Sequence, residues 1–245
     1  MPKNINSASR LHSLLEKALN EPDSTQVVEA WAKLFAINEP NGNLKAALVS
    51  QRLLLVHKEL ELISAQMKEL NYSETLYTNA ISSVEYAIST MILPNTWNNA
   101  KQYLRPEYLT ALAFCSEMLP DEESQISLDD LKKIQEIVNE LRESIFKSEL
   151  PPRLIKLIKH HIELIEQALA EYPIAGVKAL QKAWHKGLGE IIESKDDVSA
   201  NKNSPEIKKL HLVWEKINNS IDAAEKIQRI ANITEKAITF IGNVF

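Results

Sequence analysis

The stretch Leu44–Leu70, LKAALVSQRLLLVHKELELISAQMKEL, constrains this chain more than any other. Its apolar residues fall at Ala46, Val49, Leu53, Val56, Leu60, Ile63, Met67 and Leu70, in alternating steps of three and four. That spacing puts them all on one side of an α-helix, whereas a strand, with a period of two, would scatter them over both faces. Leu48, Leu54, Leu55 and Leu62 fall on neighbouring columns and widen the stripe. The helix is therefore expected to be central, with neighbours on two sides. At about 1.5 Å per residue it is roughly 40 Å long, enough to give shorter helices something to lie against.

The rest of the chain reads as helices joined by short loops. Five glycines in 245 residues leave few positions for the tight turns that hairpins and doubly wound sheets require. The pattern predicts an all-α protein, a multi-helix bundle with a long central helix at about 43–70 and a C-terminal helical arm. Asp23-Ser24-Thr25-Gln26 and Asn71-Tyr72-Ser73-Glu74 carry the capping spacing of a helix start, and Ser127 and Ser204 stand where N-caps belong. The loop Leu119–Ser127 reads as acidic and exposed. Tyr172-Pro173 is expected to break or sharply kink a helix. The polar run KDDVSANKNS at 195–204 has no apolar periodicity and is read as a linker between a helical body at 1–194 and an amphipathic arm at 205–245. Trp31, Trp97, Trp184 and Trp214 each fall in or beside an apolar helical face and are expected to anchor cores.

Charge and motif content narrow the functional classes. A formal charge of −5 spread along the chain offers no basic stripe for a phosphate backbone. The single cysteine, Cys115, rules out an internal disulfide or a cysteine-rich zinc cluster and suits a reducing cytoplasm. The N-terminus lacks a continuous apolar signal-like core, and no run approaches the 18 or so apolar residues of a spanning helix, so neither export nor membrane integration is expected. There is no glycine-rich phosphate loop, no His-Glu-x-x-His and no G-x-S-x-G elbow. None of the six histidines has a glutamate three residues before it, as a di-metal helical bundle would need. No cofactor and no metal ligand set is read from this sequence. His160 and His161 are adjacent, so in a helix they point about 100° apart. His161 lies among Leu157, Ile158, Leu164 and Ile165 and is expected to be a hydrogen-bonded core histidine.

Two segments, Arg52-LLLV-His57 and Arg153-LIKLIK-His160, resemble the Arg-x4–6-His element of HEPN ribonucleases, which are all-helical and independent of metal. The resemblance implies Arg52, His57, Arg153 and His160 as catalytic residues in an enzymatic reading. Leucine follows the arginine in both segments, where that family usually carries a polar residue. The C-terminal IDAAEKIQRIANITEKAITFIGNVF holds a near-continuous apolar stripe that wants a covering surface. Ile221, Ile227, Ile230, Ile238 and Ile241 are its candidate partner-binding residues, facing the same chain, another subunit or another protein. The charges of this segment nearly cancel, which disfavours a membrane surface. Leu150–Ile192 resembles a segment of uncharacterised bacterial all-helical proteins of phage-defence or mobile-element type. That likeness implies a bacterial, cytoplasmic setting and brings no site residues. The leading expectation is a non-enzymatic protein that acts through helix packing against a partner, as an accessory or regulator in bacterial defence. A metal-independent ribonuclease and a membrane-surface effector are the alternatives.

Overall fold

Helical periodicity carries through to structure almost everywhere. The computed structural model describes residues 4–225, which form eleven α-helices and only two-residue strands, an all-α multi-helix architecture. The chain divides into two compact units: Asn4–Glu122 with Pro173–Gly176, and Glu123–Tyr172 with Val177 onward.

The N-terminal unit holds α1 (Ser7–Leu19), α2 (Val27–Leu34), α3 (Gly42–Glu69), α4 (Thr78–Ala87), α5 (Asn98–Lys101) and α6 (Pro106–Met118). The long α3 lies against α1, α2, α4 and α6. Val49, Leu53, Val56, Leu60, Ile63 and Met67 are buried along it, each worth roughly 1.5–3 kcal/mol of transfer free energy. The flanking columns are less covered than their composition suggested, for Leu54 is 54% exposed and Leu48, Leu55 and Leu62 are half-buried. Trp31 and Trp97 meet edge to face at 5.3 Å, and the Trp97 Nε1–H donates to the Ala18 carbonyl at 3.1 Å. The capping expected from Asp23-Ser24-Thr25-Gln26 is not made. Gln26 is the N-cap without a side-chain bond, and the free amides of Val27 and Val28 donate instead to the carbonyls of Asn95 and Leu93.

This unit also buries charge. The Arg10 side chain is 4% exposed, and its Nη2 lies 2.9 Å from both Glu59 Oε2 and Glu122 Oε2. Its Nε–H donates to the Ile174 carbonyl at 3.1 Å, and the Ser7 hydroxyl donates to Glu122 Oε1 at 2.9 Å. The 119–127 loop is therefore acidic without being uniformly exposed: Glu122 is half-buried and Glu123 is 1% exposed.

The C-terminal unit holds α7 (Leu128–Ile145), α8 (Pro152–Ala175) except its last three residues, α9 (Val177–Glu193), α10 (Lys195–Ala200) and α11 (Pro205–Ala224). Ser127 and Ser204 cap α7 and α11 as expected, accepting from Asp130 N at 3.1 Å and Ile207 N at 3.3 Å. α8 does not break at Pro173. It continues to Ala175, and the interruption falls at Gly176, whose φ of 65° belongs to the left-handed region that glycine adopts without strain. The buried Glu123 carboxylate accepts from the Val177 amide at 2.7 Å, an anion at the start of α9.

Residues 195–204 depart from the linker reading. They contain α10, whose Val198 is fully buried, and α11 packs against α7 and α9 rather than standing apart as an arm. A single apolar residue with the right register was enough to fix this polar run, and one valine leaves no periodic signature. Ile207, Leu210, Val213, Trp214 and Ile217 sink into the same core as α7, α8 and α9. α9 and α11 approach through Gly187, where a Cβ would stand 2.5 Å from Trp214 Cζ2.

Candidate functional site

Four polar side chains from α8, α9 and α11 converge in the C-terminal unit. The deepest is His161, fully buried, with its ring 5.6 Å from that of Trp214 and nearly perpendicular to it. The Trp214 indole can only donate, so its 2.9 Å bond to His161 Nδ1 makes that nitrogen an acceptor and places the imidazole proton on Nε2. His161 Nε2 faces Glu190 Oε2 at 3.3 Å without a well-aligned hydrogen bond. Burial, with the neighbouring His160 and Lys186 adding to it, pushes the His161 imidazolium down to a pKa of about 3. His161 is neutral in the folded protein.

The other oxygen of Glu190 reaches the surface. Its Oε1 lies 3.1 Å from His160 Nε2 and 4.0 Å from Lys186 Nζ. The His160 side chain is 43% exposed and that of Glu190 is 25% exposed. A carboxylate only accepts, so it fixes the His160 tautomer with the proton on Nε2 and the lone pair on Nδ1. Adjacent histidines on one helix thus have opposite environments, one in the core and one at its edge, as the 100° step of a helix dictates.

Of the candidate catalytic residues, Arg153 is exposed in the first turn of α8, on the face of His160 and about 10 Å from it along the axis. Arg52 is half-buried on α3, and a five-residue step turns His57 about 140° from it. The half-exposed His57 ring faces two carboxylates, Glu61 at 3.4 Å and Glu85 at 3.8 Å. Of the candidate partner-binding residues, Ile221 is 5% exposed and packs in the core of its own unit, so it offers no surface to a partner. Ile227, Ile230, Ile238 and Ile241 lie outside the described residues. Sequence reasoning found His160 and the burial of His161 but not Glu190 or Trp214 as their partners, because those residues are 30 and 53 positions away.

A second surface feature lies on α7. Leu128 and Phe146 are 70% and 83% exposed, and their spacing of five helical turns puts both on one line of the helix, at its two ends. Between them on that line stand Gln135, Asn139 and Arg142, with Arg142 paired to Glu166 of α8. No helix among the described residues is long and apolar enough to cross a membrane. Comparison with family models, curated proteins and solved structures gives no match to this chain.

Proposed function

We propose that this is a non-enzymatic interaction or regulatory protein that docks another protein along the outer line of α7, as an accessory to a bacterial defence system. The exposure of Leu128, the first residue of α7, and of Phe146, its C-cap, carries the reading, since large apolar side chains in line along a helix can anchor a partner helix, with polar contacts between them. The setting is the expectation drawn from Leu150–Ile192 in the sequence alone. The test is the mass in solution of the protein purified from its host, with whatever it retains. One stoichiometric protein partner is expected, lost in the Leu128→Asp, Phe146→Asp double variant at unchanged melting temperature. A monomer that retains nothing, or a partner indifferent to both substitutions, overturns the reading.

The placement of His160 favours a second reading, metal-independent RNA cleavage with His160 as general base and the exposed Arg153 steadying a phosphate. It predicts cleavage in chelator that is lost in His160→Ala and Arg153→Ala. RNA left intact by the pure protein sinks it.

A further inference from the structure

We propose that His160 Nδ1 is a phosphoryl-acceptor site, a histidine nucleophile held in one tautomer by Glu190 and open to a donor carrying an activated phosphoryl group. Nucleophilic use of an imidazole needs an accessible ring, a defined lone pair and an anion to balance the positive charge that develops as the lone pair is spent. His160 has all three. The ring is 43% exposed, its Nε2–H is held by Glu190 Oε1 at 3.1 Å, and the lone pair therefore resides on Nδ1. The other oxygen of Glu190 faces the buried, neutral His161 at 3.3 Å, and the orientation of that ring is set by Trp214.

The surroundings suit an anionic donor. Lys156 and Arg153 lie one and two turns before His160 on the same face, Lys159 is adjacent, and all three are exposed. Lys186, 53% exposed, adds a fourth cation from α9, against the carboxylates of Glu190 and of Glu163 one turn further along α8. Two other histidines with nearby carboxylates, His57 and His12, are arranged differently. His57 has a carboxylate toward each nitrogen, and His12 meets Glu16 through Nδ1 at 3.6 Å.

In the transfer, the Nδ1 lone pair attacks phosphorus and a P–N bond forms. The donor's P–O or P–N bond breaks, and the leaving group departs with that electron pair. The ring becomes cationic and releases its Nε2 proton toward Glu190 and solvent, leaving a neutral ring that carries the anionic phosphoryl group on Nδ1. No oxidant or reductant takes part.

The test uses the full chain with phosphoramidate and, separately, acetyl phosphate as donors, read by peptide mass spectrometry and phosphorus NMR. Either donor should place one acid-labile phosphoryl group on His160, as the Nδ1 isomer, ahead of His12, His57 and the exposed His185. Reaction with phosphoramidate alone assigns a P–N donor, and reaction with acetyl phosphate alone an acyl phosphate. Glu190→Gln should slow labelling about tenfold, the lower end of the effect of removing a carboxylate that orients a histidine. His185→Gln should leave the His160 rate unchanged, and circular dichroism confirms that both variants are folded. Labelling spread evenly over the exposed histidines, an unlabelled His160, Nε2 phosphorylation, or a folded Glu190→Gln protein that reacts at the normal rate overturns the proposal.

Discussion

The N-terminal unit buries Arg10 with its charge intact, between Glu59 of α3, Glu122 of the loop after α6 and the carbonyl of Ile174. The C-terminal unit buries His161 as a neutral ring, with one indole donor on Nδ1 and a carboxylate facing Nε2. A guanidinium cannot shed its proton, so partners must be brought to it from distant parts of the chain. An imidazole can lose its charge, and the fold then needs to supply only one donor for one ring nitrogen and an acceptor facing the other. The two arrangements should therefore fail differently: the charged cluster when a member is removed, the neutral one when a proton is added.

The largest effect is expected in the charged cluster. Arg10→Met removes the guanidinium between Glu59 and Glu122 and leaves two partly buried carboxylates without it, a loss of about 3–5 kcal/mol. Urea denaturation followed through Trp31 and Trp97, both in the core of this unit, measures it. A loss under about 1 kcal/mol would show that water reaches the carboxylates and that the cluster is not a buried one. In the C-terminal unit, Gly187→Ala is expected to cost about 3 kcal/mol, the upper end of overpacking, because the added methyl meets the buried Trp214 ring at 2.5 Å. Trp184 and Trp214 report on that core, and an unchanged midpoint would mean that α9 and α11 part without cost.

Acid should separate the units more finely. The folded pKa of His161, about 3, lies below its unfolded value near 6.5, so the unfolded chain takes up the proton first. This contribution to stability is complete above the unfolded pKa and is lost as pH falls toward the folded one. Between pH 7 and pH 5 the loss is roughly 2 kcal/mol. It should vanish in His161→Phe, whatever that substitution does to stability at pH 7. A wild type and variant with parallel pH profiles would contradict a neutral buried His161. The smallest effect is reserved for the surface. Lys216→Ala removes the 2.6 Å pair that, with the Ser127 hydroxyl, holds the Asp130 carboxyl below its usual range. The expected cost is about 0.2–1 kcal/mol, fading with added salt, because both groups are about a third exposed.

What could be read from the sequence was what local spacing encodes. The α3 seam, the caps at Ser127 and Ser204 and the burial of all four tryptophans follow from periodicity and from residues within a few positions of one another. Four features were not legible, and each depends on distant or solitary partners. The Arg10 cluster joins residues 49 and 112 positions apart, and Trp214 reaches His161 across 53. α10 rests on one buried valine, and one of the boundaries between the units falls inside a loop whose acids looked exposed. For the candidate site, the spacing that pointed to His160 concerned Arg153 on its own helix. The residue that fixes its tautomer lies on another.

The protonation pattern of His160 and His161 is the most direct test of this account. Nitrogen-15 NMR of the side chains, from pH 7.5 down to about 4.5, reads each ring nitrogen separately. His161 should keep an unprotonated Nδ1 and a protonated Nε2 throughout, with no titration step, and His160 in its neutral form should carry its proton on Nε2. A His161 that titrates near 6.5, or a His160 whose neutral form carries its proton on Nδ1, would contradict both the neutral core and the site built on it.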